Sequence, residues 1–479
     1  MSVLAERIET YLVRRAEAHL DRARSLLRQP SVSSENRGVP EAGDLLAQMH
    51  RDARFDEVEL IATDRYPLVF AYADAHAPTT LGVYAYYDTN VAGPGWTHEP
   101  FAAEIGPAGS FPRALFGVGA ATKVSYVAWL NAVEALRQAN ELPVNIVTLV
   151  EGEEWVGSTH VAEGIDRKRQ YFDRARAVVW PGYSQTAAGE PRIALGTKGF
   201  LHIKLSVSGQ RWGRGPIGAV HGSAQGIIDS PAWHLIDALA SMAQEGGKRI
   251  GIEGFGDGVL PPSDEFRALT KAIVERIGSE HLAEVIPGVD GASKVAGFVD
   301  DLQGEELLLR YMFAPTLNLS GVATGYTGPG TWQYGLPSSA FCTIDVRMPP
   351  DMDHWQTLKA IRTHLDRRGF GDVEIETLAS YGASQSSPKD AVVQAALRCF
   401  KERDLEPVVW PRRGSSGPLG IFCDELRVPT LSGFGLGHAT QSGPDTYAVL
   451  EGTGQVGGLV DTERFFASFI QQYAHLADR

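Results

Sequence analysis

The sequence predicts an α/β protein: a mostly parallel sheet flanked by helices, interrupted by an inserted α+β domain. Three observations carry that prediction. Helix-period and strand-length apolar segments alternate along the first part of the chain. After Lys198 the segments read instead as amphipathic strands of an antiparallel sheet with helices on one face. From Asp390 onward helix and strand alternate again, as if the chain returned to its first domain. At 479 residues it exceeds one ordinary core. The expected division is 1–197, 198–383 and 384–479.

Leu4, Ile8, Leu12 and Ala16, then Leu20, Leu26 and Leu27, give residues 3–28 a helical period. A second helix is expected near Glu41 to Arg51. Strands are expected at Glu57–Ile61, Leu68–Ala73, Leu81–Tyr87 and Val144–Val150, with a long amphipathic helix over Thr122 to Ala139. In Phe200–Val207, His202, Lys204 and Ser206 alternate with apolar residues, so one face of that strand is wet. Helices fit Pro231–Ala243, Asp264–Ile277 and His354–Arg367. Strands fit Thr316–Leu319, Ser339–Arg347, Asp372–Thr377, Val408–Trp410 and Pro429–Phe434.

Composition excludes several classes of protein. A net charge of -14 argues against nucleic acid or an anionic membrane as partner. The longest apolar runs have strand length, and the N-terminal segment lacks a signal peptide's apolar core. Cys342, Cys399 and Cys423 lie far apart in apolar stretches, which fits buried thiols in a reducing compartment and a cytoplasmic protein. No C-x-x-C pair is present, so cysteine-based zinc sites are not expected.

Four local patterns bear on chemistry. Glu151-Gly152-Glu153-Glu154-Trp155-Val156-Gly157-Ser158 follows a buried strand, where open α/β sheets place ligands and carboxylates can act as bases. Tyr326-Thr327-Gly328-Pro329-Gly330 is a turn signal ahead of Ala340–Arg347. Arg413-Gly414-Ser415-Ser416-Gly417-Pro418 is a loop whose backbone amides can hold an anion. Trp96-Thr97-His98-Glu99-Pro100-Phe101 carries nothing by itself.

In this order and at these distances, the patterns resemble the aminoacylase, carnosinase and succinyl-diaminopimelate desuccinylase family of dinuclear-zinc metallopeptidases (peptidase family M20). The likeness is closest to its carnosinase-type dipeptidase branch. Pro315-Thr316-Leu317-Asn318-Leu319 followed by Gly325 to Gly330 is similar to that branch's lid signature. Ile344-Asp345-Val346-Arg347 is similar to its carboxylate-binding strand, and His221 ahead of Pro231-Ala232 to its lid histidine. The resemblance implies a split catalytic domain, an inserted lid or dimerisation domain, a homodimer, and a small carboxylate-bearing substrate.

It also implies two metal-binding histidines and three carboxylates, each offering a lone pair at roughly 2.0–2.2 Å. Carried over one by one, these positions lack the donors. The first histidine falls on Tyr86, while the aspartate that orients it survives as Asp88. The bridging aspartate falls on Ala121 or Thr122, beside Lys123. Glu154 stands as the general base, but Trp155 replaces the adjoining metal-binding glutamate. The next carboxylate falls near Trp180-Pro181-Gly182, and the last histidine on Gln441, three residues from His438.

The expected function is therefore a metal-independent enzyme without cofactor on a metallopeptidase scaffold. It would act on an amino-acid- or dipeptide-like substrate by amide formation or transfer, cyclisation, elimination or isomerisation. Glu154, His221 and Tyr86 are the expected proton-transfer groups, and Arg347, Asn318, Ser415, Ser416, Lys123 and Gln441 the substrate-binding ones. Two alternatives stand beside it. One is a zinc dipeptidase with shifted ligands, from Asp88, Glu153, Glu154 and His438 or His98. The other is a catalytically silent binding homologue.

Overall fold

The computed structural model describes residues 3–218, 220–286, 289, 295–326, 328 and 334–477. It divides into two compact units: Met1–Gly196 with Ser384–Arg413 and Pro418–Arg479, and Thr197–Ala383 with Gly414–Gly417. In chain order the first unit opens with α1 (Val3–Arg28), α2 (Val39–Asp52), β1 (Glu57–Ile61), β2 (Leu68–Ala73) and β3 (Thr80–Tyr86). A hairpin, β4 (Ile105–Ala108) and β5 (Phe111–Phe116), precedes α3 (Ala120–Gln138) and β6 (Asn145–Glu151). Then come α4 (Val161–Arg167), β7 (Ala175–Trp180) and β8 (Arg192–Ala194).

The second unit contains β9 (Gly196–Ser208, from Thr197 on), α5 (Pro231–Met242), α6 (Asp264–Ile277) and α7 (Gly304–Phe313). It continues with β10 (Thr316–Thr324), β11 (Ser339–Met348), α8 (His354–Arg367) and β12 (Glu374–Tyr381). The four long strands lie antiparallel in the order β10-β11-β9-β12. From Phe200 on, residues of β9 alternate between half-buried and buried, as the strand pattern predicts. Leu201, Ile203, Leu205 and Val207 pack with Leu235 and Met242 of α5 and Ile361 and Leu365 of α8. His202 and Lys204 stand on the opposite, open face.

The chain then returns to the first unit with α9 (Ala391–Lys401), β13 (Val408–Trp410), α10 (Leu419–Leu426), β14 (Thr430–Ser432), β15 (Tyr447–Glu451) and α11 (Leu459–Ala477). Its main sheet runs β1-β2-β6-β3-β7-β14-β8-β13. The centre is parallel, from β6 through β3 and β7 to β14. The edge strands β1 and β2 are antiparallel. Every residue of β2, β3 and β6 is buried, the mark of a sheet covered on both faces. A separate antiparallel sheet, β15-β5-β4, has no counterpart in the sequence expectation.

The cysteines form no disulfide. Cys342 and Cys399 are buried and Cys423 half-buried, and burial pushes their thiols up to about 11, 12 and 11. Among the described residues no helix is long and apolar enough to cross a membrane. Of the expected turn signature, Thr327, Pro329 and Gly330 lie outside the described residues.

Candidate functional site

Parallel strands bring their carboxyl ends to one edge, and here those ends are Tyr86 of β3, Glu151 of β6 and Trp180 of β7. Tyr84 and Tyr86, two apart on one strand, share a face. The Trp180 ring meets both edge-on, at 5.4 Å from Tyr84 and 5.3 Å from Tyr86. The Tyr84 hydroxyl donates to Glu151 Oε1 at 2.5 Å. The Tyr86 hydroxyl hydrogen-bonds Thr122, in the first turn of α3. Burial, reinforced by the Glu154 and Asp88 carboxylates, holds the Tyr86 phenol far above its ordinary pKa, so it remains a protonated donor. Burial likewise lifts Glu151 well above the usual carboxylate range.

Beyond β6 the chain makes a single 3-10 turn, Glu154–Val156, closed by Gly157 and Ser158 with φ of 116° and 55°. Glu154 is half-buried at its start. Trp155, beside it, is 46% exposed. Asp88 Oδ1 accepts the Glu154 amide at 3.1 Å, and Oδ2 accepts the Trp155 amide at 3.1 Å and the Ser33 hydroxyl at 2.7 Å. Burial raises Asp88 to about 6 against the pull of these donors.

Several expected site residues are engaged elsewhere. Lys123 is buried, and its ammonium donates to the carbonyls of Leu26 and Gln29 at 3.2 and 3.0 Å, closing the end of α1. Burial lowers it to about 7. Lys123 is thus a helix-capping lysine in this structure, because the α1 carbonyls lie within its reach. Ser416 Oγ donates to Gly199 O at 2.8 Å, while Ser415 and Gln441 are exposed. His221 is exposed, with Nδ1 2.8 Å from Ser223 Oγ.

In the second unit Asn318, Asp345 and His202 occupy one cross-strand row, and Arg347 and Phe200 the next but one. Asp345 accepts from Asn318 Nδ2 at 2.6 Å, Ser320 Oγ at 2.8 Å and Arg347 Nε at 3.1 Å. The Arg347 guanidinium lies 4.3 Å above the Phe200 ring. The Asn318 amide, expected to face a substrate carbonyl, is held by Asp345. Sequence reasoning gave Asp345 no role, although its spacing of two from Arg347 puts both on one strand face. It also missed the Tyr84–Glu151 pair, for which alternation along β3 was the available signal.

The dinuclear zinc site that the resemblance implies does not fit these residues. At the positions that the resemblance assigns to its ligands stand Tyr86, Ala121 or Thr122, Trp155, the Trp180-Pro181-Gly182 segment and Gln441, none of which supplies a carboxylate or imidazole. The shifted set is not assembled either. Glu153 accepts from Thr159 at 2.7 Å and faces His160 Nδ1 at 2.8 Å, with His160 Nε2 2.7 Å from Asp64. His438 Nδ1 faces the Gln185 carbonyl at 2.9 Å, and His98 Nδ1 faces Glu104 at 2.8 Å. Among the described residues no three His, Cys, Asp or Glu side chains form a group that could hold a metal ion.

Comparison with known proteins places the fold. Residues 195–373 match the M20 peptidase dimerisation domain. The Cys-Gly metallodipeptidase DUG1 of Saccharomyces cerevisiae is 26% identical over 407 residues, 82% of this chain and 79% of its own. The human Beta-Ala-His dipeptidase is 27% identical over 294 residues, 60% of this chain and 53% of its own. Among solved structures, the M20 family metallo-carboxypeptidase Sso-CP2 of Sulfolobus solfataricus superposes with a TM-score of 0.81 at 25% identity, covering 96% of this chain and 99% of that one. Human carnosine dipeptidase 1 gives 0.74 at 21% identity, covering 99% of both. Residues 195–373 thus match the dimerisation domain of M20 peptidases, and the chain, with its mixed sheet flanked by helices, has the fold of solved M20 members.

Proposed function

We propose that this chain is a dipeptidase-type enzyme that works without a metal ion on the amide bond of a small, carboxylate-bearing substrate, with Glu154 as its acid and base. The observation that carries the reading is the packing of Tyr86 and Trp180, 5.3 Å apart, at the sheet edge where the family keeps metal ligands. With a carboxylate beside it and no metal-holding donor set, that edge offers proton transfer from Glu154 and hydrogen-bond donation from the Tyr86 phenol. Arg347 is the group for the substrate carboxylate. Asp345 engages it at Nε, and its two terminal nitrogens have the fork geometry that matches a carboxylate. The dipeptide substrates in the names of its relatives support this substrate class.

The test is turnover of Cys-Gly and β-Ala-His by metal-depleted protein, with hydrolysis and amide transfer both followed by mass spectrometry. Chelator should leave the rate unchanged, and Glu154→Gln should lower kcat by about 100-fold or more. Hydrolysis that appears only on adding zinc, or an undiminished Glu154→Gln rate, would sink the reading. We further propose a homodimer through the second unit. The matched dimerisation domain supports it, as do exposed apolar residues on α5 (Trp233, 60% and Ile236, 41%) and on edge strand β10 (Leu319, 47% and Val322, 49%).

A further inference from the structure

We infer that Asp88 is the positioning residue for Glu154, gripping the turn that carries it by two backbone amides; the functional half of this inference rests on the role proposed for Glu154. The turn is a weak element on its own. It has one 3-10 turn, no side-chain cap from its preceding residue Glu153, and two left-handed residues behind it. Its first amides therefore need an acceptor from elsewhere. Asp88 supplies one oxygen to each, at 3.1 Å, from the segment just beyond β3. The carboxylate is itself fixed by Ser33 Oγ at 2.7 Å, and Ser33 O accepts the Tyr66 hydroxyl at 2.7 Å.

The other side of the turn is held as well. Glu153 turns away from Glu154 to Thr159 and His160 and accepts the Tyr66 amide at 3.3 Å. Its carbonyl takes the amides of Val156 and Ser158 at 3.0 and 2.9 Å. Tyr66 thus joins the two grips, and the Glu154 backbone is located by carboxylates on both sides. Of the two, only Asp88 binds the amide of Glu154 itself.

Asparagine at 88 keeps the size but offers one accepting oxygen where two amides and a hydroxyl converge. In Asp88→Asn, hydrogen exchange of peptides spanning 152–157 should speed by about tenfold or more, because the capped amides lose an acceptor. Turnover should fall in kcat by about 10–100-fold with KM unchanged, as expected when a reacting group is misplaced. Ser33→Ala, which removes one donor and leaves the carboxylate, should move both readouts the same way by less, and serves if Asp88→Asn does not fold. Unchanged exchange, faster exchange with unchanged kcat, or a loss confined to KM overturns the inference. Wild-type protein without turnover refutes the proposed function instead, and the exchange result then decides the grip on the turn alone.

Discussion

Two buried polar pairs in the first unit show how single residues set the conditions under which this fold is stable. His50 on α2 is fully buried, with Nδ1 2.8 Å from Leu46 O and Nε2 2.7 Å from the Tyr126 hydroxyl. Burial holds its imidazole down to about 4 from an ordinary 6.5. The unfolded chain therefore takes up that proton first as the pH falls. The contribution of His50 is complete above 6.5 and is lost as pH drops toward 4, at a cost of up to about 3 kcal/mol. The urea midpoint of the wild type should fall between about pH 7 and about pH 4.5 by more than that of His50→Gln; equal slopes would remove His50 from the account. Glu151 shifts the other way: burial pushes its carboxyl up, and it accepts a hydrogen bond from Tyr84. Tyr84→Phe should lower stability by about 1–3 kcal/mol, measured by denaturant unfolding, since it strips a buried carboxyl of that donor.

Among the elements, α3 depends on the tight turn that leads into it. Gly119 precedes the helix at φ +80°, and a Cβ there would meet Thr89 Cγ2 at 2.7 Å. Gly119→Ala should cost about 1–2 kcal/mol in thermal or denaturant unfolding, with the strain falling where α3 meets the end of β3. The helices and strands with clean periodicity were legible in the sequence: Asp264–Ile277 and His354–Arg367 form as expected, and β1, β2 and β13 have the expected bounds. The β15-β5-β4 sheet was not legible, because β4 is Ile-Gly-Pro-Ala and β15 pairs with β5 across more than three hundred residues of chain. The same limit applies at the candidate site. Glu154 and Asp88 could be picked out by position and residue type, but the bonds from Asp88 to the amides of 154 and 155 involve backbone groups common to every residue. The partners of Lys123 were hidden for the complementary reason: the carbonyls of Leu26 and Gln29 are nearly a hundred residues away in sequence.

For the whole molecule, the second unit's open edge is the feature with the clearest consequence for assembly. Edge strand β10 and helix α5 expose apolar side chains that an isolated soluble unit ordinarily covers or breaks with charge. Trp233→Glu combined with Val322→Lys should convert the proposed dimer to a monomer in sedimentation or light scattering, without lowering the unfolding temperature of the first unit. A wild type that is monomeric at micromolar concentration would refute the dimer. The division of the chain also constrains the order in which its parts can mature during synthesis. The second unit is almost wholly one continuous stretch, Thr197–Ala383, whereas the main sheet of the first has β14, from Thr430–Ser432, lying between β7 and β8. As the chain emerges from the ribosome, the inserted unit has nearly all its strands available while the N-terminal segment still lacks one from the middle of its sheet. Its longer-range pairings must wait for the C-terminal segment. The N-terminal segment therefore spends part of its synthesis as an incomplete sheet with β7 short of its neighbour, the interval in which a chaperone has most to protect.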